Sequence, residues 1–478
     1  MTRTETGGWG ELFAGDNGLK IAVLITGVGL PAINVFISGT LMPSVVAEIG
    51  GLELFAWSTT LFIVASIIAS IFAAIRPFGL GPRQNYIIAA IAFGLGSLIS
   101  GLAPAMWVML LGRVVQGFGA GLLGALTYAM IRIIFPERLW TRGMGLISGV
   151  WGVATLIGPA IGGIFAQFGL WRWAFFSLVP FALALALLAL RVIPRRGDES
   201  GVKSLPALQI LLLIGAVMAV SLASVTTGNL PIAGALTAAA VIGLLWLGRI
   251  EQRSANRLLP SGAFDAGTVI APLLLMMLLM QLAITSDVFV PLFLQTLHGQ
   301  SPLVAGYIVA FMAIGWSSGS VFGSGSKPER VRLLLLGGPV LMSAGAIGLA
   351  LSIGQLNLEG DVWAIVPVAV SLLAMGLGIG SCWPHLLTRL FKSAPEGEKD
   401  LTSAAITMVQ LFASGLGAAV GGMIVNLAGI TAATQPADNL PAAHWLYGLF
   451  VLIPVLAVPL AVFVTRSETA RAEARAAE

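Results

Sequence analysis

Long apolar stretches separated by short polar breaks run the length of the chain. Dividing it at charged or turn-rich positions gives runs near 20–47, 55–75, 86–106, 108–133, 143–168, 173–193, 206–227, 230–248, 267–296, 303–323, 332–353, 361–388, 402–430 and 443–465. A helix of about 20 apolar residues crosses roughly 30 Å of hydrocarbon, so the pattern predicts fourteen membrane spans. Of the 25 Lys and Arg residues, 23 fall in alternate breaks or at the run ends that border them; the opposite breaks and their borders hold Arg172 with Glu48, Glu53, Glu359, Asp361 and Asp438, and Arg113 falls deep inside a run. Lys and Arg resist translocation. The basic breaks are therefore predicted to be cytoplasmic, with both termini on that side and an even number of spans. The first run is too long for a signal peptide and lacks a small-residue cleavage pattern, so it is predicted to stay in the mature protein.

Composition adds exclusions. With 57% hydrophobic and 10% charged residues among 478 and a mean hydropathy of +0.96, the chain cannot cover a core with solvated surface. Soluble-enzyme and fibrous readings fall. The net charge of +4 is scattered between apolar runs, and no basic cluster interleaves with aromatics, so no nucleic-acid partner is expected. A lone cysteine, Cys382, rules out an intramolecular disulfide, and three histidines, His298, His385 and His444, are too few for a His-rich metal cluster. No HExxH, P-loop or GxSxG pattern is present. Neither enzymatic activity nor a cofactor or metal is expected.

The chain also repeats itself. Gly158-Pro-Ala-Ile-Gly-Gly163 in the fifth run returns 259 residues later as Gly417-Ala-Ala-Val-Gly-Gly422 in the thirteenth, and Trp173 and Trp445 open the sixth and fourteenth. Runs one to six thus match nine to fourteen, with seven and eight inserted, and the halves share one orientation, the parallel-repeat plan of alternating-access carriers. The fold class read from this is an all-α integral membrane protein of 14 transmembrane helices: two parallel six-helix pseudo-repeats, 1–196 and 263–478, flanking two inserted helices in 197–262.

Gly158-Pro159-x-x-Gly162-Gly163, preceded by Gly145, resembles the fifth-helix antiporter motif of the major facilitator superfamily, in particular its fourteen-helix drug:proton antiporter branch, with Ala154 replacing one family glycine. Arg113-Val-Val-Gln116-Gly117-Phe-Gly119 is similar to that family's fourth-helix motif with a buried arginine. The resemblance spans the whole chain. Two positions depart from it. Where the family commonly has a first-helix aspartate, counting back from Pro43 reaches Asn34, and the loop Arg76-Pro-Phe-Gly-Leu-Gly-Pro-Arg83 lacks the family's acid. The resemblance implies a multi-pass protein of a bacterial inner (cytoplasmic) membrane that works as a monomer, with a small-molecule substrate, protons and membrane lipid as its partners. It also implies a cavity lined by helices one, four, nine and twelve.

Individual residues carry the chemistry. A charge at mid-membrane is costly and needs a cavity or an acceptor. Arg113, Asn34 and Asp287, the one carboxylate deep in an apolar run, fall roughly 12–15 Å below the outer boundary at 1.5 Å per residue. Asp287 and Arg113 are the proton-coupling candidates; structural roles, a hydrogen-bonded aspartate and an arginine holding polar groups, are the alternatives. Gln116 shares the Arg113 motif, and Gln295, eight residues after Asp287, falls about 80° around a regular helix. Trp383 either offers a cation an aromatic face or anchors an interface, and His385 is an interfacial histidine or a proton relay. Asn34, Gln116, Gln295, Trp383 and His385 make the candidate substrate cavity. Met276, Met277 and Met280 fit an adaptable wall or lipid contact equally, and Trp171-Arg172-Trp173 reads as an outer interfacial belt. The glycines of the antiporter motif either pack helices closely or, with the kink at Pro159, shape a seal. The inserted helices are expected at the periphery.

The function expected from these features is proton-coupled export of small amphipathic or cationic compounds by alternating access, a multidrug-type antiport. The alternative is a dedicated transporter of a single metabolite, siderophore or lipid. A membrane receptor fits poorly, because no loop exceeds about 30 residues, too few for an output domain.

Overall fold

Fourteen helices long and apolar enough to cross a membrane are found among the residues that the computed structural model describes, 13, 17–75, 81–194, 206–265, 267–324, 326–396 and 398–477. They are α1 (Asn17–Ile49), α2 (Trp57–Ile75), α3 (Pro82–Gly101), α4 (Met106–Ile134), α5 (Glu137–Gln167), α6 (Trp171–Val192), α7 (Ala207–Val225), α8 (Leu230–Arg253), α9 (Ile270–Thr296), α10 (Pro302–Ser324), α11 (Pro328–Ile353), α12 (Val366–Ser393), α13 (Lys399–Leu427) and α14 (Pro436–Arg466, continuing helical to Ala477). No strand occurs among the described residues. The all-helical, fourteen-span reading holds. Positions 76–80 of the second loop, and Arg195, Arg196 and Lys203, lie outside the described residues.

Three helices are interrupted, each for the same reason. A proline lacks the N–H that would bond four residues back, and its ring crowds that carbonyl. The first stretch of α6 ends at Phe176, four residues before Pro180, and that of α14 ends at Phe450, four before Pro454. In α9, Pro291 lies four residues after Asp287, and Thr285–Phe289 winds as a tighter 3-10 turn in which the Val290 N–H bonds the Asp287 carbonyl instead.

The helices cluster into two units, Met1–Gly51 with Leu61–Ser204, and Leu52–Thr60 with Leu205–Glu478. In the first, α1 packs on α5 and α3 on α4; in the second, α9 packs on α13 and α11 on α12. The internal repeat is visible in these contacts. A Cβ on Gly158 would sit 2.5 Å from Phe36 and 3.0 Å from the Ile33 carbonyl, while one on Gly417 would sit 2.8 Å from Thr285 and 3.1 Å from the Leu282 carbonyl. Gly162 lies against Ile37 and Thr40, and Gly421 against Phe289. The register extends to the turns: Gly50 and Gly299, at φ of 71° and 58°, end the first helix of each repeat in the left-handed region that favours glycine.

The inserted pair clusters with the second unit. Ala216 and Val220 of α7 and Ala240 of α8 pack with Ala419 of α13, and the Asn426 amide of α13 donates to the carbonyls of Ser224, 2.8 Å, and Glu53, 3.0 Å. Most of α8 is exposed, as expected of a peripheral helix.

Candidate functional site

In the first unit Arg113 projects from α4 into a buried polar cluster. Its guanidinium donates to Gln116 Oε1 at 2.6 Å and reaches Asn34 Oδ1 of α1 at 3.5 Å. It also lies 4.3 Å from the centroid of the Phe62 ring on α2. Gln116 passes the chain on, donating from Nε2 to Ser97 Oγ of α3 at 2.8 Å, and Ser38 Oγ donates to Asn34 Oδ1 at 3.3 Å. Asn34, Ser97 and Gln116 are fully buried and Arg113 is 2% exposed. Such a charge persists in an apolar interior only with acceptors around it. Hydrogen bonds to a charged group contribute about 1.5–3 kcal/mol, and a desolvated cation–π contact about 2. Asn34 Nδ2 has no hydrogen-bond partner among the described residues.

Small residues make this convergence possible. A Cβ on Gly96 would fall 2.2 Å from the Gln116 backbone nitrogen and one on Gly117 2.2 Å from the Phe62 carbonyl, so α3 and α2 both meet α4 backbone to backbone. Ser66 seals the second contact by donating to the Gly117 carbonyl at 2.9 Å.

In the second unit Asp287 sits half-buried in the 3-10 turn of α9. Tyr447 of α14 packs against this turn: its hydroxyl donates to the Ser286 carbonyl at 3.3 Å, and its ring meets Phe293 edge-on with centroids 5.9 Å apart. The matched glycine contacts set the register between repeats at 249 residues for their first helices and 259 for their fourth, since Gly117 and Gly121 face Phe62 and Ser66 as Gly376 and Gly380 face Met312 and Trp316. Asp287 therefore corresponds to Ser38, one turn beyond Asn34. The polar trio of the first unit, Asn34, Arg113 and Gln116, corresponds to Ala283, Leu372 and Met375, all buried and apolar. The fixed charge of one unit and the titratable acid of the other each lack a counterpart across the repeat.

The remaining candidates scatter. Gln295 is half-buried on α9 beyond the turn, and its Nε2 has no hydrogen-bond partner among the described residues; the 3-10 winding between it and Asp287 departs from the regular helix on which the 80° spacing was reckoned. Trp383 is 7% exposed and packs on Trp316, the two rings tilted with centroids 5.5 Å apart. His385 bonds through Nε2 to the Gly323 carbonyl at 3.0 Å, so that nitrogen carries the proton. Gly158, Pro159, Gly162 and Gly163 line the contact of α5 with α1 or lie beside it; Gly145 is in α5, with surroundings outside those described.

Of two further groups, one loses an alternative and the other differs from the sequence reading. Met276, Met277 and Met280 are fully buried, so lipid does not reach them. Of the supposed belt, Trp173 is exposed but Trp171 is buried, its indole donating to Glu48 Oε2 at 2.6 Å while Arg172 pairs with the other oxygen. A carboxylate brought from the end of α1 explains the difference. Phe62, Ser97 and Tyr447 are site residues the sequence did not single out; only Pro291, four residues past Asp287, signalled the special backbone beneath the acid.

Comparison with known proteins agrees with this architecture. The sequence model of the Major Facilitator Superfamily matches residues 24–418. The chain is 37% identical to the probable multidrug-efflux transporter Rv1634 of Mycobacterium tuberculosis over 96% of each protein, and 26% identical to the multidrug transporter protein MdtP of Bacillus subtilis over 85% of this chain and 75% of that one. Among solved structures, that of a POT family transporter in complex with 5-aminolevulinic acid superposes with a TM-score of 0.65, covering 96% of this chain and 98% of the other at 13% identity, a likeness of fold. With the family's sequence model covering most of the chain, its fourteen spans and its parallel repeat, this multi-pass membrane protein belongs to the Major Facilitator Superfamily of transporters.

Proposed function

We propose that the protein is a proton-coupled exporter of small amphipathic or cationic compounds, working by alternating access in a bacterial cytoplasmic membrane with both termini inside. The multidrug-efflux names of its relatives support the substrate class, and the alternation of basic breaks supports the orientation. The coupling rests on one observation, Asp287 placed half-buried at a break in a spanning helix. A carboxyl there changes charge when its exposure changes. Protonated from the outer side and released inward, it returns the carrier each cycle, and a cationic compound competes with the proton for the same negative charge. Arg113 fixes a positive centre in the other unit, holding α1, α2, α3 and α4 about one buried cluster.

The energetics suffice. Exchange of one proton for a monovalent cation moves no net charge, so each pH unit, about 1.4 kcal/mol, sustains a tenfold gradient, and for an uncharged compound a potential of 100 mV adds about 2.3 kcal/mol per proton. Everted vesicles test the reading: acidifying the lumen is expected to drive uptake of a lipophilic cation, and a protonophore to abolish it. Uptake indifferent to the protonophore contradicts it.

A further inference from the structure

The second unit contains a cavity of about 640 Å³ that the transport reading does not use. It lies between the inserted pair and helices α9, α13 and α14, with Leu247 of α8, Leu278 of α9, Phe412 of α13 and Phe463 of α14 among its walls. Its volume is that of a ligand site, roughly 300–1,000 Å³, but its lining is apolar almost throughout. The exception, Glu251, is 3% exposed and spent: its two oxygens accept the backbone N–H groups of Leu258, at 3.0 and 3.1 Å, and Leu259, at 3.0 Å. No charge is left inside to recognise a cation.

The floor is preformed. The linker after α8 is pinned by Arg257, which donates to the Ser254 carbonyl and Ser261 Oγ, each at 2.7 Å, and by Glu398, which accepts from Ser261 N at 2.7 Å and Ser261 Oγ at 2.5 Å. The rim opens outward on spanning helices, with Leu275 46% and Phe463 49% exposed. On α14, Arg466 follows the mouth residue Phe463 at three-residue spacing, so an exposed arginine stands about one turn beyond the apolar mouth. It takes part in no ion pair among the described residues. Arg249 and Arg253 end α8 at the same end of the unit.

We infer that this cavity holds an acyl chain of an anionic phospholipid, whose phosphate rests on Arg466. An apolar slot inside, open to the hydrocarbon, with a cation at the membrane boundary above it, matches a molecule with a long apolar tail and a negative head. The lipid wedges the inserted pair against α9, α13 and α14, a role independent of how transport is coupled.

Two measurements on the full-length protein test this. In native mass spectrometry from detergent, phosphatidylglycerol is expected to bind more tightly than phosphatidylcholine with the same chains. Arg466→Ala is expected to remove that preference, weakening phosphatidylglycerol about fivefold, the effect of one basic residue on an anionic headgroup. Leu278→Trp, which fills the cavity, is expected to weaken both lipids. Equal retention by the wild type and both variants overturns the site. The second measurement needs no variant: phosphatidylglycerol with a diazirine in its chain, photolysed in liposomes, is expected to label Phe412, which is 6% exposed. Labelling confined to outward-facing positions, or blocked by a transported lipophilic cation, overturns the assignment.

Discussion

Asp287 and Ser38 occupy the same place in the two repeats, one an acid and the other a hydroxyl, and the difference has consequences for coupling. Asp287→Asn keeps shape and hydrogen bonding but removes the titration. Facilitated exchange of an uncharged amphipathic substrate is expected to survive, while binding of a cationic one and accumulation against a gradient fall to background, measured in proteoliposomes. Arg113→Ala is expected to impair both, since Gln116 Oε1 loses its donor in a fully buried site, at about 1–3 kcal/mol per unsatisfied group. A second titration lies in the loop between α9 and α10. His298 is 1% exposed, bonds the Ile353 carbonyl at 3.0 Å, and burial holds its pKa below the ordinary histidine value. The unfolded chain then binds more protons than the folded one as pH falls below about 6.5, so stability is lost in that direction. Thermal unfolding in detergent is expected to show this acid loss for the wild type, and less of it for His298→Gln.

Helices pack by their glycines here, and the contacts distinguish glycines that a motif alone treats alike. Gly158→Val drives side-chain atoms into Phe36 and the Ile33 carbonyl and is expected to destabilise the first unit by about 1–3 kcal/mol. Gly152→Ala on the same helix meets open space and is expected to be neutral or slightly stabilising, as alanine favours helix by about 1 kcal/mol. Melting temperatures of purified protein compare the two. The spans themselves were legible in the sequence because lipid demands an unbroken apolar run, and the repeat because Gly158 and Gly417 keep their spacing. The partner of Arg113 within its own helix, Gln116, follows from three-residue spacing. Phe62 and Ser97 do not, because which face of α2 or α3 meets α4 is set by packing at Gly117 and Gly96 rather than by hydropathy. Burial of Trp171 is not legible for a related reason: Glu48, which accepts its indole N–H, is 123 positions away in the chain. The 3-10 turn under Asp287 was written in Pro291, but other prolines here, such as Pro159, remain within continuous helix.

At the scale of the whole molecule, the two units divide the charged roles, a fixed cation at Arg113 and a titratable acid at Asp287, where the repeat supplies apolar residues opposite the first and a serine opposite the second. Obligate exchange of a proton for a cationic solute follows if the acid must be occupied by one or the other before the carrier turns over. The most direct test is proton movement driven by solute alone. Proteoliposomes are loaded with a lipophilic cation and a pH-sensitive dye, clamped at zero potential with potassium and valinomycin, and diluted into solute-free buffer. Antiport predicts that the lumen acidifies as the compound leaves, and that Asp287→Asn abolishes the acidification. Loss of the compound with unchanged lumenal pH, or with alkalinisation, would contradict the account.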